Sequence, residues 1–99
     1  MSRRIEGVKD EKFGHIVRIL LTLLKYGDKP LTVSELKDKA KIPGTAFFSH
    51  IKRSLEMAGW VTFKVNPDRT ITAHLTDDGR KIAEALKNVE DILRKANII

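Results

Sequence analysis

Basic side chains are concentrated in the middle third of this 99-residue sequence. The segment from Lys37 to Arg69 contains seven lysines and arginines against three acids, a net charge of +4, while the whole chain carries +6. Lysine and arginine neutralise phosphates, and arginine can also donate two hydrogen bonds to the edge of a guanine. The chemistry open to this segment is therefore the binding of a polyanion, provided that the fold presents these charges together.

Other kinds of chemistry find little support in the residues. The chain has no cysteine, which excludes disulfides, thiolate metal sites and cysteine nucleophiles, and its three histidines lie on different predicted elements. There is no phosphate-binding glycine loop and no recognisable catalytic grouping of serine, histidine and carboxylates. We expect one globular domain that is not an enzyme and uses no metal or cofactor. With 32% charged residues and no long apolar run, we also expect a cytoplasmic chain without a membrane span.

Apolar residues at helical spacing predict two helices in the first part of the chain. The first runs from about Lys12 to Tyr26, and residues 1–11 before it form either a mobile basic arm or a frayed helix start. The second begins at a capping box, Thr32-Val33-Ser34-Glu35, and ends at a turn with Pro43. The apolar stripe of the first helix is predicted to consist of Phe13, Ile16, Val17, Leu20, Leu21, Leu23 and Leu24.

A third helix is predicted from about Thr45 to Ala58, ended by Gly59. Phe47 lies beside its apolar stripe, where core packing is favoured over contact with a thymine methyl group. The stripe is predicted to consist of Phe48, Ile51, Leu55 and Ala58. The opposite face is polar and basic, and it contains Thr45, Ala46, Ser49, His50, Lys52 and Arg53. Two helices joined by a tight turn, the second with such an outer face, indicate a helix-turn-helix.

Two alternating segments on either side of Asn66-Pro67-Asp68-Arg69 predict a β-hairpin, with Lys64 on one strand and Arg69 at the tip. A helix-turn-helix followed by such a hairpin is a winged helix, mainly α with a small β wing (α+β). The last helix is capped by Thr76 or Asp77. Its apolar residues form a coiled-coil-like seam of Ile82, Leu86, Val89, Leu93 and Ala96. This seam predicts a dimer interface, and packing on the chain's own first helix is the alternative.

These motifs, in this order, resemble those of the MarR/ArsR-type winged-helix regulators. The family pattern His-Leu-Lys-x-x-Leu-x-x-x-Gly is matched here by His50, Ile51, Lys52, Leu55 and Gly59. Leu75-Thr76-Asp77-Asp78-Gly79-Arg80 is similar to the Leu-Thr-x-x-Gly-Arg signature that follows the wing in the same proteins. The sequence is also similar to small archaeal winged-helix dimers built on a C-terminal coiled coil, some of which act as chromosomal proteins. It departs from the metal sensors in having no cysteine and from MarR-type proteins in having a shorter dimerisation region.

The resemblance implies a homodimeric, double-stranded-DNA-binding transcriptional regulator, with repression as the favoured role. It divides the chain into an arm (1–11), a winged helix-turn-helix (12–76) and a dimerisation helix (77–99). The third helix would enter the major groove through the outer-face residues named above, with Arg53 able to contact guanine, and the wing (61–75) would meet the minor groove through Lys64 and Arg69. Phosphate contacts are expected from Lys37, Lys39 and Lys41. An architectural DNA-binding protein and a protein-interaction module remain the alternatives.

Overall fold

The helices and strands follow one another in the order of a winged helix-turn-helix. The computed structural model describes residues 3–27 and 29–99, with the side chains of 11–27, 29–47 and 50–99. Its elements are α1 (Arg3–Tyr26), β1 (Leu31–Thr32), α2 (Val33–Ala40), α3 (Gly44–Ala58), β2 (Val61–Val65), β3 (Ile71–Leu75) and α4 (Asp77–Lys95). Helix α3 is continuous in three parts, an α-helical turn at Gly44–Ala46, a π-helical turn at Phe47–Ile51 and an α-helix at Lys52–Ala58. None of the helices in the described ranges is long and apolar enough to cross a membrane.

Helix α1 begins at Arg3, earlier than the predicted start near Lys12. Of the two alternatives for residues 1–11, a mobile arm or a helix start, the helix from Arg3 onwards agrees with the second, and Met1 and Ser2 lie outside the described residues. The segment is rich in arginine, glutamate and lysine, which favour helices. Extending an existing helix also adds one hydrogen bond for each residue that is ordered, without a new nucleation step.

The hydrophobic core is built around α1, which packs against α2, α3, β3 and α4. Ile19, absent from the predicted stripe, is fully buried, whereas Phe13 within that stripe is 64% exposed. Ile19 lies three residues after Ile16 and four before Leu23, so helical spacing alone places it on the buried face, and the predicted stripe was wrong to omit it. Phe13 precedes Ile16, which among the α1 side chains described, from Glu11 onwards, is the first apolar one that packs against the core cluster.

The apolar face of α3 also differs from the predicted one. Phe47 is fully buried beside Ile51 and Leu55, as predicted, whereas Ala58 at the end of the helix is exposed. In the π-helical turn the Lys52 amide donates to the Phe47 carbonyl, one residue further back than in an α-helix. Phe47 and Ile51, four residues apart, lie on one face of the helix, as they would in an α-helix. The side chain of Phe48 lies outside the described residues.

A three-stranded antiparallel sheet in the order β1-β3-β2 completes the domain. The predicted hairpin pairs Val61 with Leu75 and Val65 with Ile71. The third strand, β1, places Leu31 opposite Ala73 and was not predicted, because two residues are too few to show alternation. Buried Val61 and Ala73 alternate with more accessible neighbours, so the sheet has one face against the core.

The start of α4 is fastened to the base of the wing. Thr76 Oγ1 accepts a hydrogen bond from the Gly79 amide (3.0 Å) and donates one to the Gly59 carbonyl (2.6 Å). The Thr76 amide donates to the Trp60 carbonyl (3.0 Å). A Cβ atom on Gly79 would overlap that carbonyl oxygen and lie 2.7 Å from its carbon. The Leu-Thr-x-x-Gly-Arg signature thus has a structural role, since it lets α4 approach the wing backbone.

Candidate nucleic-acid interface

The turn between α2 and α3 is formed by two local signals. Thr32 Oγ1 accepts from the Glu35 amide (3.1 Å) and Glu35 Oε1 accepts from the Thr32 amide (2.9 Å), which confirms the predicted capping box. Helix α2 ends where Lys41 adopts a left-handed conformation with φ of 58°, and the Ile42 amide donates to the Lys37 carbonyl (2.9 Å). This cap directs the buried Ile42 into the core and starts α3 two residues later.

The predicted outer face of α3 is only partly exposed. Thr45, His50 and Arg53 have exposed side chains, and Arg53 lies in the middle of the helix. Ala46 is half-buried and packs against the core. The side chain of Ser49 lies outside the described residues. The exposed hydroxyl, imidazole and guanidinium groups can donate hydrogen bonds, and the guanidinium suits a guanine edge.

Lys52 is directed toward the wing. Its ammonium nitrogen lies 4.9 Å from the ring centre of Phe63 on β2 and 3.4 Å from Glu56 Oε1. The Phe63 ring also meets the Phe47 ring edge-on, with centres 6.0 Å apart and planes at 81°. The sequence did not show this cluster, because the residues that form it come from two elements and meet only in the folded domain.

The three lysines of the α2 segment occupy different environments. Lys37 is half-buried, with its ammonium beside Gly44 at the start of α3. The ammonium of Lys39 lies 4.9 Å from the ring centre of Tyr26 on α1. Lys41 is exposed in the turn itself. Lys39 and Lys41 are therefore both exposed, whereas Lys37 is half-buried.

The wing carries its predicted basic residues on an ordered tip. Lys64 and Arg69 are both exposed. The tip is closed by hydrogen bonds from the Asn66 amide to the Thr70 carbonyl (2.8 Å) and from the Arg69 amide to the Asn66 carbonyl (2.9 Å). Asp68 Oδ1 accepts from the Thr70 hydroxyl (2.6 Å) and amide (3.1 Å), and these hydrogen bonds, first the hydroxyl and then the amide, lower the pKa of the Asp68 carboxyl. A tip held in this way presents Arg69 in a defined position.

Lys41 and Arg69 share an unusual backbone conformation. Both have positive φ, 58° and 72°, in the left-handed region that favours glycine. A side chain with a Cβ atom costs about 1–2 kcal/mol there. Each conformation has a local cause, because Lys41 is the C-cap of α2 and Arg69 closes the hairpin turn; Asn97, just after α4, shares it. Both basic side chains remain exposed, one in the helix-turn-helix and one at the wing tip.

The predicted seam of α4 divides into an inner and an outer part. Ile82 and Leu86 pack against the chain's own core, which is the alternative that the sequence left open. Leu93 is half-buried, whereas Ala96 and Val89 are exposed, the latter by 52%. Ile92, absent from the seam, is 57% exposed on the same side of the helix as Val89. An apolar strip of Ala85, Val89, Ile92 and Ala96 therefore remains on the surface.

The other flank of α4 is charged. Lys87 pairs with Asp91 (2.9 Å) and Glu90 (3.6 Å), and Arg94 pairs with Glu90 (3.4 Å). The hydrogen bond and charge of Asp91 raise the pKa of Lys87. The two positive charges of Lys87 and Arg94 are balanced by the two negative charges of Glu90 and Asp91, so these four residues offer DNA no net positive charge.

A cavity of about 490 Å³ lies between α1 and the start of α3. It is lined by Glu11, the buried His15, Thr45 and His50, among others. The proximity of His15 and His50 was not predicted, because they lie on separate helices that meet only in the folded domain. Within the described residues no group of three or more histidine, aspartate or glutamate side chains is arranged to hold a metal ion.

Comparison with known proteins identifies this arrangement. The family model of ArnR1-like winged-helix domains matches residues 6–93. An Archaeoglobus fulgidus protein of known crystal structure is 28% identical in sequence to this chain. The two structures superpose with a TM-score of 0.72 over 92% of this chain and 97% of that chain. The comparison with curated proteins gives no match.

Regulators of known class share the fold at lower identity. A MarR-family transcriptional regulator from Silicibacter pomeroyi is 23% identical, with a TM-score of 0.67 over 76% of this chain; the match spans 49% of that regulator's length. The Staphylococcus aureus MepR–DNA complex is 20% identical, with a TM-score of 0.68 over 97% of this chain and 83% of that chain. The chain belongs to the family of ArnR1-like winged-helix domains, and its fold is that of the MarR-type regulators that its sequence resembles.

Proposed function

We propose that this protein is a transcriptional regulator that binds double-stranded DNA as a homodimer, with α3 in the major groove and the wing at the minor groove. The observation that carries the proposal is the pair of exposed basic residues, Lys41 and Arg69, which lie on either side of α3 in the sequence. Arg53 lies exposed on α3 itself. The fold is shared with MepR, which has been crystallised with DNA.

The contacts divide into those that read bases and those that hold phosphates. Arg53 would donate two hydrogen bonds to a guanine, with Thr45, His50 and Ser49 nearby on the same helix. Lys41 and Lys64 would neutralise phosphates, and Arg69 would enter the minor groove, where narrow A·T tracts concentrate negative potential. Lys37 and Lys39 would contribute to the positive field around the turn.

The homodimer would form through the exposed apolar strip of α4. Val89 and Ile92 are large apolar side chains, each more than half exposed. Burying such side chains against a second copy is favourable by about 25 cal/mol for each Å² removed from water. A two-fold dimer with its α3 helices about 34 Å apart would read a pseudo-palindrome. We favour repression in the cytoplasm as the role, since a bound dimer occupies the DNA that it recognises.

Duplex binding measured as a function of salt tests the proposal. Fluorescence anisotropy with a labelled duplex should show log affinity falling linearly with log salt, with a slope of about −0.9 for each phosphate neutralised. Arg53→Ala should cost about 1–3 kcal/mol on a preferred site and much less on random duplex. Equal loss on all duplexes would indicate an architectural protein, and no duplex binding at low salt would contradict the proposal in favour of a protein-interaction module.

A further inference from the structure

Lys52 differs from the other predicted DNA contacts in its surroundings. Its ammonium lies over the Phe63 ring at 4.9 Å from the ring centre and 3.4 Å from Glu56 Oε1, with 27% of its side chain exposed. The Phe63 ring is in turn contacted by the buried Phe47 ring of α3. Phe63 is the central residue of β2, so two residues of α3 contact the middle of the wing.

These contacts oppose a role for Lys52 as a phosphate ligand. The Glu56 carboxylate neutralises the ammonium and would repel a phosphate placed beside it. To reach DNA, the Lys52 ammonium would have to leave both the Glu56 carboxylate and the Phe63 ring. Leaving the ring is unfavourable, because a cation is attracted to an aromatic face within about 6 Å of the ring centre. The Lys52 ammonium thus has two partners within the protein, Glu56 and Phe63.

We propose that Lys52 is a positioning residue that holds the wing at a defined angle to α3. At the connection between α3 and β2 the hydrogen bonds of Thr76 hold the base of the wing, and further along β2 the contacts of Phe47 and Lys52 with Phe63 add to what sets its angle to α3. The Lys52–Phe63 contact lies midway along β2, between this connection and the tip that carries Arg69. It therefore makes the contact of Arg53 in one groove and that of Arg69 in the next depend on each other. This inference rests on the proposed DNA binding.

Substitution by methionine separates the two roles, because Lys52→Met keeps an unbranched side chain and removes the charge. Lys64→Met, at an exposed lysine of the same strand as Phe63, is the matched control. The control should reduce the slope of log affinity against log salt by about 0.9. Lys52→Met should leave that slope unchanged and weaken binding about two- to five-fold at every salt concentration. Lys52→Arg should restore affinity, because a guanidinium also stacks on an aromatic ring.

Coupling between helix and wing gives a second measurement. Arg69→Ala should weaken binding less in the Lys52→Met background than in wild type, since the wing tip is already displaced. In the protein without DNA, Lys52→Met should speed hydrogen exchange of the β2 and β3 amides, and Lys64→Met should not.

Three results together would overturn the inference and make Lys52 a phosphate ligand. Lys52→Met would have a shallower salt slope than wild type, its effect on the binding free energy would add to that of Arg69→Ala, and the hydrogen exchange of β2 and β3 would not be faster. If wild type does not bind duplex, the proposed function fails, and the exchange measurement alone decides whether Lys52 holds the wing. Unchanged exchange would then reject the positioning role as well.

Discussion

Arg69 at the wing tip should lower the stability of the fold while raising affinity for DNA. Its φ of 72° places the side chain in the left-handed region, at a cost of about 1–2 kcal/mol. Arg69→Gly relieves this strain, and the larger entropy that glycine loses on folding, about 0.5–1 kcal/mol, offsets part of the gain. The net expectation is a stabilisation of about 0.5–1 kcal/mol, or about 3–6 °C in melting temperature for a domain of this size.

Arg69→Ala is the matched control, because alanine loses the guanidinium but keeps the strained backbone. Thermal unfolding followed by circular dichroism should place Arg69→Gly above Arg69→Ala, and Arg69→Ala close to wild type. Both variants should lose the same affinity for duplex, because both lack the guanidinium that would enter the minor groove. Equal melting temperatures for the two variants would refute the strain argument, and wild-type affinity in both would refute the wing contact.

Three further predictions concern the fold, the dimer and acid stability. Gly79→Ala should destabilise the domain by about 3 kcal/mol or more in chemical denaturation, because its Cβ would overlap a backbone carbonyl. The control Gly14→Ala, where the new Cβ would lie 3.5 Å from a flexible side chain in mid-helix, should instead stabilise the domain by about 0.5–1 kcal/mol. Equal effects of the two variants would contradict the packing argument. The double variant Val89→Ser with Ile92→Ser should convert a dimer into a folded monomer in sedimentation experiments, and an unchanged dimer would place the interface elsewhere. Asp68 has a lowered pKa in the fold, so its stabilising contribution is present at neutral pH and is lost as the pH falls below about 4; Asp68→Asn should flatten this acid limb of the stability curve, and an unaltered limb would contradict the role of its hydrogen bonds.

Features set by neighbouring residues were predictable from the sequence. The capping box at Thr32, the left-handed Gly59 and the hairpin turn from Asn66 to Arg69 all follow from local rules and agree with the structure. The predicted outer face of α3 agrees with the structure at Arg53, which is exposed. These signals were enough for the winged-helix fold because each is contained within a few residues.

Features that depend on distant contacts were not predictable in the same way. Lys52 is turned toward Phe63, a contact between residues eleven positions apart that no helical or strand period connects. Ile82 and Leu86 face the core while Val89 faces solvent, since α1 covers only part of the apolar circumference of α4.

The central claim is that α3 reads DNA sequence in a dimer, and selection of bound duplexes from a random pool tests it most directly. We expect wild type to enrich a palindrome whose half-site centres lie about 34 Å apart. The same selection with Arg53→Ala should lose the preference for guanine at one position in each half-site while retaining the others. Enrichment of no sequence by wild type, or of an identical palindrome by Arg53→Ala, would contradict sequence reading by this helix through Arg53.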